Sequence, residues 1–281
     1  MVDGVTHICQ NCQNSFEGRF CNQCGEKVYT SHDRSLKHIF EEFAHFVSHF
    51  DNKLFISLRT IFFRPGQLSL DYCAGKRIRY YPPVSLFLIM VVLYLLFPIF
   101  KGLNMPLEIY NDSWGRHAKE LISSKMKKEN LSFQQLSAKY EKTSEKVAKI
   151  LLFLTIPMSA LPLYLVFFRK RKYYFDSVIF SAELNTVFLL TTFFIFPVVL
   201  FIIFRILKLV GHPILRTNDI VVSAISYALI SGLFFPAAIR RFYHLSRPIA
   251  IVSYLYFAFF HILIIFWLYK YLLFVISMAL T

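Results

Sequence analysis

Acidic residues are scarce in this chain: 17 Asp+Glu stand against 31 Lys+Arg, a formal net charge of +14. In a soluble domain that imbalance would point to nucleic acid. Here nucleic acid is not expected as a partner, because much of the excess flanks long apolar runs, where cations set membrane orientation and attract anionic lipid. Strand-like alternation of apolar and polar residues is missing outside the first 30 residues. Met1 to Ile8 show no basic n-region and no apolar core, so no cleaved signal peptide is expected. Paired carboxylates, a Ser/His/Asp set and a histidine-rich motif are all missing from the apolar runs, which argues against an intramembrane enzyme.

What is abundant is apolar surface. Hydrophobic residues make up 56% of the chain, 32 residues are Phe, and mean hydropathy is +0.49; soluble domains run at roughly 45–50% apolar. Five runs meet the spanning length of about 20 residues, at about 82–100, 148–168, 178–204, 219–239 and 248–274. All five are expected as helices, because lipid offers no partner to open backbone groups. The expected fold is therefore an all-α polytopic membrane protein in three parts: residues 1–30, residues 31–81 as an amphipathic helix and basic collar, and a membrane domain over 82–281. An outer helical loop is expected at 101–147, where Ser132 is placed to cap a helix running through Phe133, Leu136, Tyr140 and Val147 into the second span.

Orientation follows from the short loops. Arg169, Lys170, Arg171 and Lys172 separate the second and third spans, Arg240, Arg241 and Arg247 the fourth and fifth, and Arg64, Lys76, Arg77 and Arg79 precede the first. These cations share one side if the amino terminus is cytosolic, which predicts a multi-pass protein of the bacterial inner membrane with its carboxyl terminus outside. Lys76, Arg77, Arg79 and Arg169 through Lys172 are the expected contacts to anionic lipid headgroups, at about 1 kcal/mol each near such a leaflet. Gly75-Lys76-Arg77 lacks the earlier glycine and the hydroxyl of a P-loop.

The sharpest motif is Cys9-Gln-Asn-Cys12, eight intervening residues, then Cys21-Asn-Gln-Cys24-Gly25. Two Cys-x-x-Cys knuckles supply four thiolates, a complete tetrahedral set for structural Zn2+ with no open catalytic position. So short a segment has almost no core, and metal would supply its folding free energy. Cys73 is remote from the quartet. On the segment from Ser35, Leu36, Ile39, Phe40, Phe43, Phe46, Val47 and Phe50 repeat at helical spacing. The opposite face carries His38, Glu42, His45 and His49, with the i, i+4 histidine spacing of a metal pair; a plain polar face explains the same pattern.

Within the spans the ionisable candidates are Glu183, about 10 Å from the cytosolic end of the third, and His261, about 20 Å into the fifth. Charge at such depth requires burial in the bundle, protonation or a partner.

The pattern Cys-x-x-Cys, Phe-x-Gly-x-Phe-Cys-x-x-Cys-Gly over Cys9 to Gly25, then Arg64-Pro65-Gly66, Tyr72 through Arg77 and Tyr81 through Pro83, resembles a bacterial family catalogued as a domain of unknown function. The resemblance implies an amino-terminal zinc ribbon joined to a multi-span membrane domain, and no activity. Some of those relatives carry a histidine pair near 174–184; this chain has Asp176-Ser177 and Glu183-Leu184 there. The expected role is that of a non-enzymatic membrane adaptor or scaffold, with a cytosolic protein partner or the chain's own collar against the ribbon. A transporter or channel for a lipid or small solute using Glu183 is the alternative.

Overall fold

The computed structural model describes residues 6–28, 52–96, 104–209 and 219–281. The expected helical face with His38, Glu42, His45 and His49 falls outside the described residues.

Two short strands, β1 (Thr6–Ile8) and β2 (Ser15–Glu17), pair antiparallel with His7 opposite Phe16. After an isolated bridge between Phe20 and Lys27, the regular elements that follow among the described residues are helical. The collar comprises α1 (Asn52–Phe63) and α2 (Gln67–Cys73), and α3 (Pro83–Leu96) opens the apolar bundle. The elements α4 (Leu107–Ser113) and α5 (Gly115–Glu129) lead into α6 (Phe133–Phe167), a single helix of 35 residues. Next come α7 (Tyr174–Leu190), α8 (Phe196–Leu209), α9 (Asp219–Tyr243), α10 (Arg247–Ile262) and α11 (Tyr269–Leu280).

Wide π-type turns at Thr191–Ile195 and Leu263–Leu268 keep α7 continuous with α8 and α10 continuous with α11. The first lies just before Pro197, whose missing N–H cannot complete the regular ladder, so the chain widens there instead of breaking.

Three helices among the described residues are long and apolar enough to cross a membrane: Phe133–Phe167, Tyr174–Val199 and Arg247–Leu280. The expectation of five is thus corrected to three here. The other two runs abut stretches outside the described residues, α3 ending at Leu96 before 97–103 and α9 starting at Asp219 after 210–218.

The central helix is α7, buried on every side from Ser177 to Leu189. A helix buried all round lies in the middle of a bundle, and α3, α6, α9 and α2 surround it. Flat stacking of Phe180 on Phe242 at 4.3 Å and of Phe167 on Tyr243 at 3.9 Å ties the end of α9 to α6 and α7. A second, smaller core joins α4, α5 and the start of α6 to α11 through Leu107, Tyr110, Ile122, Leu136, Tyr140 and Phe274. Asn130, with φ 53°, ends α5, and Ser132 and Gln135 then form a reciprocal capping box that starts α6. Each satisfies a backbone donor that the helix start leaves open.

Candidate functional site

Each Cys-x-x-Cys sits on a tight turn closed by the backbone. Gln13 N–H donates to the Cys9 carbonyl at 2.9 Å, and Gly25 N–H to the Cys21 carbonyl at 2.8 Å. Gly25 has φ 74°, a conformation in which a Cβ is strained. The two turns face each other, so the Sγ atoms of Cys9, Cys12, Cys21 and Cys24 all lie within 4.8 Å of one another. Cys9 to Cys24 is 3.5 Å and Cys12 to Cys21 is 3.6 Å. A tetrahedron with Zn–S bonds of about 2.3 Å has edges of about 3.8 Å, so the residues fit that metal. None of the four is in a disulfide. Their titration is divided. Burial raises the Cys21 thiol, but the N–H donors of Cys24 and Gln23 together with the Cys12 and Cys24 thiols outweigh it and bring it down to about 6. For Cys12, a hydrogen bond with Asn14 pulls down, while burial and the neighbouring sulfurs push it up to about 12. Four clustered thiols resist full ionisation unless a cation shares their charge.

Two residues past Cys24, the ribbon touches the collar. Buried Glu26 accepts through Oε2 from the backbone N–H of Arg77 at 3.3 Å and of Ile78 at 3.2 Å. Burial raises its carboxyl above the usual range, opposed by those N–H groups and the Arg77 charge. A Cβ on Gly75 would meet Gln10 at 3.5 Å, so the turn at 75–78 is a fitted seat for the ribbon.

The collar is held from its other side by Glu183. Gly66 precedes α2 with φ 80° and has no side chain to cap it. Glu183 supplies the cap from the central helix: Oε1 accepts from Gly66 N–H at 2.7 Å and Oε2 from Ser69 N–H at 2.8 Å. One carboxylate therefore satisfies both donors that a capping box would satisfy locally. Ser69 Oγ donates to the Ile179 carbonyl at 3.2 Å, and the Arg241 guanidinium donates to the Pro65 carbonyl. Gly66 is needed for space as well as conformation, since a Cβ there would lie 2.5 Å from the Ala238 carbonyl oxygen.

His261 has other partners. Its Nδ1 is 2.9 Å from the Tyr227 hydroxyl and its Nε2 is 3.4 Å from Asn185 Oδ1. Asn185 Nδ2 donates to Ser159 Oγ at 2.8 Å, and Ser159 Oγ is 2.8 Å from Ser181 Oγ. A buried hydrogen-bonded chain thus runs Ser181–Ser159–Asn185–His261–Tyr227 across α7, α6, α10 and α9. Glu183 is not in it: two residues from Asn185, it lies on another face of α7. The structure does not bring Glu183 and His261 together.

The expected headgroup cations divide. Lys76, Arg79, Arg169 and Lys172 are exposed. Arg77 is buried, a correction to its reading as a lipid contact. Its Nε donates to the Tyr72 carbonyl at 3.2 Å and its guanidinium lies 4.4 Å above the Tyr72 ring. Lys170 and Arg171 donate to the carbonyls of Tyr243 and Phe242, both at 3.3 Å, where the negative end of α9 favours cations. Sequence reasoning missed Ser69 and Arg241 as clamp residues, and Ser159, Ser181, Asn185 and Tyr227 as a network. Polar residues within apolar spans were the available signal.

A family model described as a protein of unknown function (DUF3667) matches residues 51–95. That stretch runs through α1, α2 and the start of the bundle, and it contains the whole collar. No curated protein and no solved structure matches the chain.

Proposed function

We propose that this chain is a multi-pass protein of the bacterial inner membrane, amino terminus cytosolic and carboxyl terminus outside, that serves as a non-enzymatic scaffold. Its zinc-held ribbon is seated on the collar and offers a fixed cytosolic surface to a protein partner. Exposed Lys76, Arg79, Arg169 and Lys172 meet anionic headgroups. The observation that carries this reading is the Glu26 contact with Arg77 and Ile78, which makes the ribbon part of the membrane-proximal surface rather than a tethered module. Photo-crosslinking from Arg19 or Gln23 of the full chain in cells tests it. A discrete adduct that disappears in the Cys9→Ser, Cys24→Ser variant is expected, and a diffuse, zinc-independent smear would overturn it. Reporter fusions at Lys172 and Thr281 test orientation, with cytosolic and outside signals expected respectively.

A second reading, transport of a lipid or small solute, rests on the buried chain from Ser181 to Tyr227. Both Glu183 oxygens are occupied by the collar, so the burden of this reading moves to His261 and Asn185. Flux that vanishes in His261→Phe at normal abundance would favour it over the scaffold.

A further inference from the structure

The segment 66–78 is held at both ends by a carboxylate from elsewhere in the chain. Glu183 caps its start at Gly66 and Ser69, and Glu26 accepts at its end from Arg77 and Ile78. The two clamps are joined by direct contacts. Arg77, whose N–H is bound to Glu26, also lies over Tyr72 and donates to its carbonyl. Tyr72 is a buried residue of α2, the helix Glu183 caps. The ribbon end of this linkage depends on the cysteine turns, because Cys21 N–H donates to the Glu26 carbonyl at 2.8 Å and Gly25 closes the second turn. The ribbon's own core among the described residues is little more than Phe16 with its cysteines and Val28. A unit that small keeps its shape through its metal, so losing the metal releases Glu26.

We propose that metal occupancy of the ribbon governs how firmly the collar is seated on the membrane bundle, so that cytosolic zinc is reported to the central helix at Glu183. This rests on reading the cysteine quartet as a zinc site. The chain of contacts is contiguous, and linkage makes the effect reciprocal: whatever loosens the collar at Glu183 must weaken zinc binding by the same factor.

Amide hydrogen exchange on the full chain in nanodiscs, read over residues 64–78, tests the proposal. Five samples are compared: zinc-loaded protein, chelator-stripped protein with zinc loss confirmed by elemental analysis, and zinc-loaded Glu26→Ala, Glu26→Gln and Glu183→Gln. Stripping and Glu26→Ala should each speed exchange at Gly66 and Ser69 about tenfold, the size expected when one buried hydrogen-bonded contact is lost. Glu26→Gln, which keeps an acceptor oxygen, should preserve protection, and Glu183→Gln should weaken zinc affinity. Zinc leaving while Gly66 and Ser69 stay fully protected would overturn the coupling and leave the zinc site intact. Protein that holds no zinc as purified, or equal zinc after Cys9→Ser with Cys24→Ser, would instead remove the zinc reading and the proposal with it.

Discussion

Glu26 and Glu183 perform the same act on opposite sides of the collar, each accepting from two backbone N–H groups, but they are not equal clamps. Glu183 is 1% exposed, uses both oxygens, and makes bonds of 2.7 and 2.8 Å. Glu26 uses one oxygen at 3.2 and 3.3 Å, and its buried Oε1 has no partner among the described residues. Short hydrogen bonds that use both oxygens hold harder than longer ones shared by a single oxygen. The bundle side of the collar is therefore the firmer hold, and the ribbon side is the one that lets go first.

The largest test of this contrast removes the ribbon's organising centre. Cys9→Ser with Cys24→Ser should take zinc from one per chain to none and expose the hairpin, while the bundle keeps its helical signal. Loss of helicity as well would mean the ribbon side is no weaker than the bundle side. On the bundle side, Gly66→Ala drives a Cβ into the Ala238 backbone at a residue with φ 80°, and should cost about 3 kcal/mol in thermal unfolding. A variant as stable as the parent would show that α2 is free to shift. Glu183→Leu strands the Gly66 and Ser69 donors and should cost about 2 kcal/mol. Glu183→Gln keeps one acceptor and should cost less, and Glu26→Gln least of the three.

Smaller effects separate the cations. Replacing exposed Lys76 and Arg79 by Gln should reduce co-purifying anionic lipid by about 1 kcal/mol of affinity per residue, in a salt-dependent way. Arg77→Gln should lower stability and leave lipid retention unchanged, because Arg77 faces Tyr72 and the Glu26 clamp. The smallest effect lies at the junction of α5 and α6. Lys125 and Lys139 hold Glu129 below its ordinary carboxyl range. A group with a depressed folded value contributes stability above its unfolded value and loses it as pH falls through the folded one. Acidification through the ordinary Glu range and below should loosen the junction of α5 and α6 slightly, and Glu129→Gln should remove that dependence with little change at neutral pH.

The contrast also separates what was legible. The cysteine quartet could be read because its four ligands lie within one short segment, where spacing alone dictates a shared turn geometry. Ser132 could be read as a cap because a capping box is local to four residues. Glu183 was visible as a costly carboxylate in an apolar run, and its partner was not, since Gly66 is 117 residues away. Arg77 looked like its neighbours Lys76 and Arg79 in the basic collar. Only the fold turned it inward, its guanidinium over the Tyr72 ring and its backbone N–H on Glu26.

By itself, then, the sequence determined that the chain is helical and crosses a membrane, that its cysteines can gather four sulfurs around a metal, and where its cations cluster. Each follows from composition or from spacing within a few turns, where bond geometry and the cost of exposed polar groups act locally. Tertiary structure decided which carboxylate caps which helix, which arginine is buried, and that His261 joins Asn185 and Tyr227 instead of Glu183. Those outcomes depend on which helices come to lie side by side. In a bundle of near-uniform apolar helices the one-dimensional pattern carries little information about neighbours, and a few buried polar contacts select among the packings.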